Sequence, residues 1–90
     1  EAYVANYTKT FNAPVSSFGG YAHDAFTLVM EAVAKGGSAK PADIRANLEK
    51  ISGFAGTSGV YTYSPDNHNG LDETAFIMVT IEKGAWKVTQ

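Results

Sequence analysis

The sequence has no cysteine, a single arginine (Arg45) and no long apolar run. Without cysteine, the chain cannot form disulfides, thiolate zinc sites or a cysteine nucleophile. Seven Lys and Arg residues against nine Asp and Glu residues give a net charge of −2, which excludes the basic surface typical of nucleic-acid binding and a polybasic membrane patch. No apolar stretch approaches the roughly 20 residues that a membrane span needs, and the first residues lack the pattern of a secretory leader.

What is present favours a folded protein. The chain has 90 residues, of which 44% are hydrophobic and 12% aromatic, and such a composition argues against intrinsic disorder. At 9.6 kDa, a folded monomer would expose roughly 5,000 Å², against roughly 14,000 Å² when unfolded. This length predicts one small domain with a modest core, or one piece of a larger domain.

The first half of the chain predicts three helices. In the first, Tyr3, Val4, Tyr7 and Phe11 recur at helical spacing, and Pro14 ends the segment. No capping residue precedes this stripe, so we expect a helix whose beginning is missing, in a chain cut from something longer.

The second helix carries the strongest pattern in the chain. It should follow a loop that ends at Gly20, and it should end at the Gly36–Gly37 pair. Leu28 and Ala32 widen its apolar stripe, which predicts that the helix is covered on more than one side. The stripe comprises Ala22, Ala25, Phe26, Val29, Met30 and Val33.

The third helix should begin at Pro41, which suits the first helical position, and should end by Gly53. Its apolar stripe of Ile44, Leu48 and Ile51 is narrow, which predicts a helix on the surface.

The second half predicts strands. Residues 60–63 form a short strand with a two-residue period, and residues 64–70 form a turn-rich loop. Residues 75–81 predict a longer strand that is apolar on both faces, as in a sheet covered on both sides. Residues 82–85 predict a hairpin turn, after which residues 86–88 pair back. The chain is therefore expected to belong to an α/β fold whose sheet is mostly elsewhere.

The order of landmarks resembles the C-terminal quarter of type I periplasmic solute-binding proteins of the branched-chain amino acid type, which deliver ligands to ABC importers. The resemblance covers essentially the whole chain and depends on the joint order of seven landmarks. These are Tyr3 to Pro14 with aromatics every four residues, His23-Asp24-Ala25, Lys35-Gly36-Gly37-Ser38, Ile44-Arg45-Ala46, Phe54-Ala55-Gly56, Tyr63-Ser64-Pro65-Asp66 and Lys83-Gly84-Ala85-Trp86.

The resemblance implies an α/β fragment of a two-lobed type I periplasmic binding protein fold. Three helices are followed by short strands and a C-terminal hairpin. Residues 1–72 would belong to the N-terminal lobe, and residues 73–90 would supply the third crossover strand and a hairpin that packs on the C-terminal lobe. Most of the ligand cleft would lie outside this chain. His23 departs from the family, which commonly has Tyr at this position.

The implied function is non-enzymatic capture of a small ligand, such as a branched-chain amino acid or a related carboxylate, in the periplasm or outside the cell. The implied partners are this ligand and an importer permease. The candidate ligand-binding residues are Phe18, Gly19 and Tyr21, because they match the segment that faces the cleft in the family. The alternative for Phe18 and Tyr21 is ordinary packing between loop and helix, and the alternative for Gly19 is a plain turn before the helix.

Two other functions remain open. A ligand-sensing regulatory domain of the same fold would bind a ligand but signal instead of feeding a permease. A small enzyme would need titratable groups clustered in a pocket, whereas those of this sequence are scattered. If the chain is a fragment, exposed apolar faces and strand edges should also make it self-associate or exchange elements between copies.

Catalytic and metal motifs are weak. His23 and Asp24 are adjacent on a helix and point about 100° apart, so Asp24 is expected to complement the helix N-terminus rather than to orient a general base. The loop with Asp66, His68 and Asp72, called the acidic loop below, fails the EF-hand pattern of a calcium site, since Gly70 and Leu71 stand at its fifth and sixth positions. Turns are expected in this loop and around the glycines of residues 53–59. Ser64 is not expected to be a nucleophile, because it lacks the Gly-x-Ser-x-Gly motif of a nucleophile elbow. We predict no catalytic residue, no metal and no cofactor.

Overall fold

The computed structural model describes residues 1–89 as a small mixed α/β chain with three helices and two separate two-stranded antiparallel sheets. In chain order the elements are α1 (Ala2–Phe11), α2 (Ser17–Gly36), α3 (Pro41–Leu48), β1 (Phe54–Ala55), β2 (Val60–Tyr61), a 3-10 turn (Glu73–Ala75), β3 (Val79–Glu82) and β4 (Ala85–Val88). None of the three helices in residues 1–89 has the length and hydrophobicity that a membrane-spanning helix requires.

The predicted helix ends are confirmed for α1 and α2. Asn12 follows α1 in a left-handed conformation, and its N–H donates to the carbonyl of Thr8. Gly37 follows α2 with φ 64°, and its N–H donates to the carbonyl of Val33. A left-handed residue after the last turn is a common helix terminator, and glycine takes this conformation without a Cβ penalty.

The predicted loop before α2 is wrong, because the helix begins at Ser17. Ser16 has an extended backbone, and its Oγ accepts a hydrogen bond from the Gly19 N–H at 3.3 Å. This is a serine N-cap, which satisfies one of the unpaired amides of a first helical turn. Phe18, Gly19 and Tyr21 therefore lie in the first turns of α2 and not in a loop.

Of the predicted apolar stripe of α2, only Leu28 and Ala32 are buried within the described residues. The buried stripe is Gly20, Asp24, Leu28 and Ala32, which follow one another at four-residue spacing. Much of the predicted stripe is exposed instead, with Phe26 at 69% and Met30 at 49% of full exposure. The helix is covered on one side by described residues, and its broad apolar face is open.

The third helix begins at Pro41 as predicted but ends at Leu48, earlier than expected. Ser38 ties its first turn to the preceding loop, because its Oγ donates to Asp43 Oδ2 at 2.6 Å and accepts from the Lys40 N–H. The core lies where α3 and the following turn meet α2. It consists of Leu28, Ile51 and Tyr61, with Leu48, Phe54, Tyr63 and Leu71 partly buried around them.

The strands are shorter than predicted. The strand β2 spans two residues of the predicted four and pairs with β1, which was not predicted; Phe54 lies opposite Tyr61. In the segment predicted as a long strand, Asp72 caps a 3-10 turn and β3 starts only at Val79. The hairpin turn is confirmed, with both Lys83 and Gly84 at positive φ, as a two-residue type I′ turn requires.

The molecule is extended for its length. Its radius of gyration is 15.9 Å and its extents are 50 × 33 × 16 Å, whereas a compact 90-residue domain has a radius of about 12 Å. No residue of α1, β3 or β4 is buried. These elements therefore extend from the small core instead of building it.

Candidate functional site

The three predicted ligand-binding residues lie together at the N-terminal end of α2. Phe18 is 81% exposed and Tyr21 is 50% exposed, and their rings meet edge to face with centroids 6.5 Å apart. Gly19 packs against α1, since an added Cβ would lie 3.1 Å from the Tyr3 hydroxyl. The turn thus presents two aromatic rings to the outside, on a backbone held by the Ser16 cap.

The adjacent Gly20 has a structural reason to be glycine. It is buried, and an added Cβ would lie 2.9 Å from Thr57 Oγ1. The close approach lets α2 contact the loop at residues 56–58 one residue before Tyr21. This loop therefore helps to hold the helical turn that carries Phe18 and Tyr21.

Asp24 joins the same loop to α2 through a buried carboxylate, which is 2% exposed. Its Oδ1 accepts from the Thr57 N–H at 2.8 Å, and its Oδ2 accepts from Thr57 Oγ1 at 3.0 Å. The Ser58 N–H and the Tyr61 hydroxyl also donate to Oδ2, at 3.2 and 3.0 Å. The expectation that Asp24 serves the helix N-terminus is wrong, since its partners lie more than thirty residues away.

The carboxylate of Asp24 is held in its ionised form. Burial raises its pKa, but the hydrogen bonds from Thr57, Tyr61 and Ser58 together outweigh burial and hold the pKa below the ordinary value. Burial, followed by the hydrogen bond to Asp24, raises the pKa of Tyr61. A buried, ionised carboxylate that accepts hydrogen bonds from Thr57, Ser58 and Tyr61 suits a structural clamp, not a proton-transfer group at neutral pH.

Sequence reasoning missed this clamp, although two signals point to it. Asp24 stands four residues from both Gly20 and Leu28, so it lies on the buried stripe of α2. Gly56 also leaves room for it, since an added Cβ would lie 2.8 Å from Asp24 Oδ2. The pattern that identifies such a clamp is an aspartate on the buried stripe of a helix together with a distant Gly-Thr pair, here Gly56 and Thr57.

His23 makes no hydrogen bond to its neighbour, because its Nδ1 is 3.8 Å from Asp24 Oδ1. Its ring instead packs on Tyr3 of α1, with centroids 4.7 Å apart. The geometry therefore does not support a base and an orienting carboxylate here, in agreement with the 100° offset between neighbours on a helix.

An open apolar cleft of about 650 Å³ lies between α2, α3 and the loop after β2. Its floor is formed by aliphatic side chains, among them Leu28, Val29 and Ile44. Glu49 stands at its rim and pairs with Arg45 Nε at 3.2 Å and His68 Nε2 at 3.1 Å. The hydrogen bond from Arg45, assisted by His68, holds the pKa of Glu49 below its usual value.

The acidic loop forms turns and no metal cluster. No group of three or more His, Asp or Glu side chains in residues 1–89 is arranged to hold a metal ion. Asp72 accepts from the Thr74 N–H at 2.9 Å, and Asn67 Oδ1 accepts from the Asn69 N–H at 3.0 Å. The glycine series around residue 56 also forms a turn, in which the Gly56 N–H donates to the carbonyl of Gly59.

Comparison with known proteins adds no relative: no protein-family model matches the chain, and no curated protein sequence matches it significantly.

Proposed function

We propose that this chain is the C-terminal portion of a type I solute-binding receptor, which captures a small ligand in the periplasm or outside the cell for an ABC importer. The observation that carries the proposal is the large solvent-accessible surface of the chain. The accessible area is 7118 Å², whereas a compact monomer of this mass exposes about 5,100 Å². The surplus of about 2,000 Å² is what a chain exposes when its packing partners lie in another part of the same fold.

The location of the exposed apolar surface supports this interpretation. In the type I fold, a long helix packs on a parallel sheet, and such a sheet needs apolar helix faces to cover it. The open face of α2, with Phe26, Val29 and Met30 between 39% and 69% exposed, suits that role. The apolar cleft between α2 and α3 is continuous with this face at Val29.

The ligand would contact the aromatic turn at the start of α2. Ligand pockets favour aromatic walls with a few fixed polar groups, and Phe18 and Tyr21 are exposed aromatics on a turn held by Ser16 and by the Asp24 clamp. The groups that bind the ligand's charged ends would come from the remainder of the receptor. Closure of two lobes about their hinge would then trap the ligand, without covalent chemistry.

The test is calorimetric titration of amino acids and related carboxylates into the native gene product that contains these 90 residues. We expect binding, with the affinity lowered by Phe18→Ala and by Tyr21→Ala. Phe11→Ala is the matched control, since it truncates an exposed aromatic of α1. The proposed site is wrong if Phe11→Ala weakens binding as much as the two variants of the aromatic turn.

A further inference from the structure

The loop at residues 64–70 ends in an asparagine followed by a glycine, a pair that occurs once in the chain. Asn69 is exposed, whereas Gly70 is buried. The Asn69 N–H donates to Asn67 Oδ1 at 3.0 Å, as in a turn closed by an asparagine side chain. The side chain of Asn69 makes no hydrogen bond of its own within residues 1–89. It is therefore free to turn toward the backbone nitrogen that follows it.

The fold requires a glycine after Asn69. Gly70 has φ 79°, and an added Cβ would lie 2.6 Å from the Tyr63 ring. Its carbonyl accepts a hydrogen bond from the Thr62 N–H at 2.8 Å, which ties the end of the loop to its beginning. Glycine adopts this backbone conformation at no steric cost. It is also the residue that places no Cβ beside the side-chain amide of the preceding asparagine, so packing and backbone geometry together leave that amide open to attack.

We propose that Asn69 is a site of spontaneous deamidation in the folded protein, with isoaspartate as a product. The Gly70 nitrogen gives up its proton and attacks Cγ of Asn69. The new N–Cγ bond closes a succinimide ring, the Cγ–Nδ2 bond breaks, and the side-chain nitrogen leaves as ammonia with that proton. Water then adds to a ring carbonyl: opening at Cγ gives aspartate, and opening at the backbone carbonyl gives isoaspartate. No oxidant or reductant is needed.

The attacking nitrogen is weakly held and close to water. The Gly70 N–H donates to Asn67 Oδ1 at 3.4 Å, beyond the usual limit of about 3.2 Å for such a bond. Little stabilisation is therefore lost when the nitrogen gives up its proton. Residues 65–69 are all exposed, so water reaches the ring and hydrolyses it.

The other four asparagines lack this combination. Asn67 is exposed in the same loop, but His68 follows it and its Oδ1 already accepts from two backbone N–H groups. Each of the remaining three is followed by a residue with a Cβ, and two of them lie within helices, where the backbone is fixed; they are Asn6 in α1, Asn12 and Asn47 in α3. Asn67 is thus the closest comparison for Asn69.

Isoaspartate would loosen the loop. The backbone then runs through the former side chain and gains one carbon between residues 69 and 70. Gly70 cannot keep both its contact with the Tyr63 ring and its hydrogen bond from the Thr62 N–H. The inference depends on residues 62–70 alone and is independent of the proposed receptor function.

The test is incubation of the native gene product that contains these residues at mildly alkaline pH, with samples taken over time. Trypsin, which cleaves after Lys50 and Lys83, releases residues 51–83 with both Asn67 and Asn69, and mass spectrometry locates the conversion of an amide to an acid. We expect Asn69 to convert at least about tenfold faster than Asn67. Isoaspartate is detected by methyl transfer from a protein isoaspartyl methyltransferase.

Asn69→Gln is the matched control, because its longer side chain closes a ring much more slowly; it should abolish the methyl-accepting signal. Hydrogen exchange at the Thr62 amide should be faster in the modified fraction than in the unmodified fraction. Equal conversion of Asn67 and Asn69 overturns the proposal. It is also overturned if Asn69 converts in urea but stays intact in the folded protein over the same time.

Discussion

Replacing Asp24 by Asn tests the clamp between α2 and the loop at residues 56–58. The change keeps the shape of the side chain but removes its charge and turns one oxygen into an NH2 group. If the amide oxygen occupies the place of Oδ2, the NH2 group faces the Thr57 N–H, which lies 2.8 Å from Oδ1 in the parent chain. Two donors then oppose each other in a buried site.

The cost can be worked from the contacts. A hydrogen bond to a charged group contributes about 1.5–3 kcal/mol, and one such bond, from the Thr57 N–H, is lost outright. The remaining bonds to Oδ2, from Thr57 Oγ1, the Ser58 N–H and the Tyr61 hydroxyl, now reach a neutral oxygen and keep about half their strength. Together these losses predict that Asp24→Asn lowers the free energy of unfolding by at least about 4 kcal/mol, a large share of the roughly 5–13 kcal/mol expected for 90 residues.

The assay is urea unfolding at neutral pH, followed by the helical circular dichroism signal. Asp43→Asn is the matched control, because it makes the same chemical change at an exposed aspartate that accepts one hydrogen bond, from Ser38. The slope against urea should be unchanged, since both variants expose the same surface on unfolding. The interpretation of Asp24 as a clamp is refuted if the two variants differ in unfolding free energy by less than about 0.5 kcal/mol.

Three further predictions follow from the same geometry. The pKa of Asp24 is lower in the folded chain than in the unfolded chain. The ionised carboxylate therefore stabilises the fold above about pH 4, and this contribution is lost as the pH falls through the folded pKa. Urea unfolding at acidic pH should show a shallower loss of stability with falling pH in Asp24→Asn than in the parent. Gly70→Ala should lower the free energy of unfolding by about 1–2 kcal/mol for its positive φ and by about 1–3 kcal/mol more for overpacking, since its Cβ would lie 2.6 Å from the Tyr63 ring. Gly84→Ala is the control, because Gly84 has the same φ of 79° and an added Cβ there meets no atom. Equal unfolding free energies for the two variants would contradict the packing of Tyr63 against Gly70. Calorimetry of the isolated 90-residue chain should detect no tight amino acid binding, because the groups that bind the ligand's charged ends would lie in the remainder of the receptor. Micromolar affinity would disprove that these groups lie outside the 90 residues.

Local signals in the sequence predicted where α1 and α2 end and where the hairpin turns. Asn12, Gly37 and Gly84 each have a left-handed backbone, which asparagine and glycine adopt most readily. Residues of this kind act within one turn of the chain, so their effect does not depend on distant parts of the molecule. The helix and hairpin boundaries that they set are the part of the fold that sequence alone determined.

The errors arose where a distant partner decides the structure. Apolar periodicity selected the face of α2 with Phe26, yet the buried stripe contains Asp24, whose partners Thr57 and Tyr61 are remote in sequence. The start of α2 was missed because two glycines weaken its first turn, while the Ser16 side chain stabilises it. Of the candidate site, the sequence predicted the aromatic pair, but in a loop before α2, and did not predict the clamp at Asp24.

The most direct test of the account is the mass of the native gene product, measured in the source cells with an antibody against the 64–70 loop. That loop is largely exposed, so an antibody can reach it. If the 90 residues are part of a two-lobed receptor, the antibody should detect a polypeptide several times heavier than 9.6 kDa that binds a small ligand. A primary gene product of 9.6 kDa would contradict the central claim.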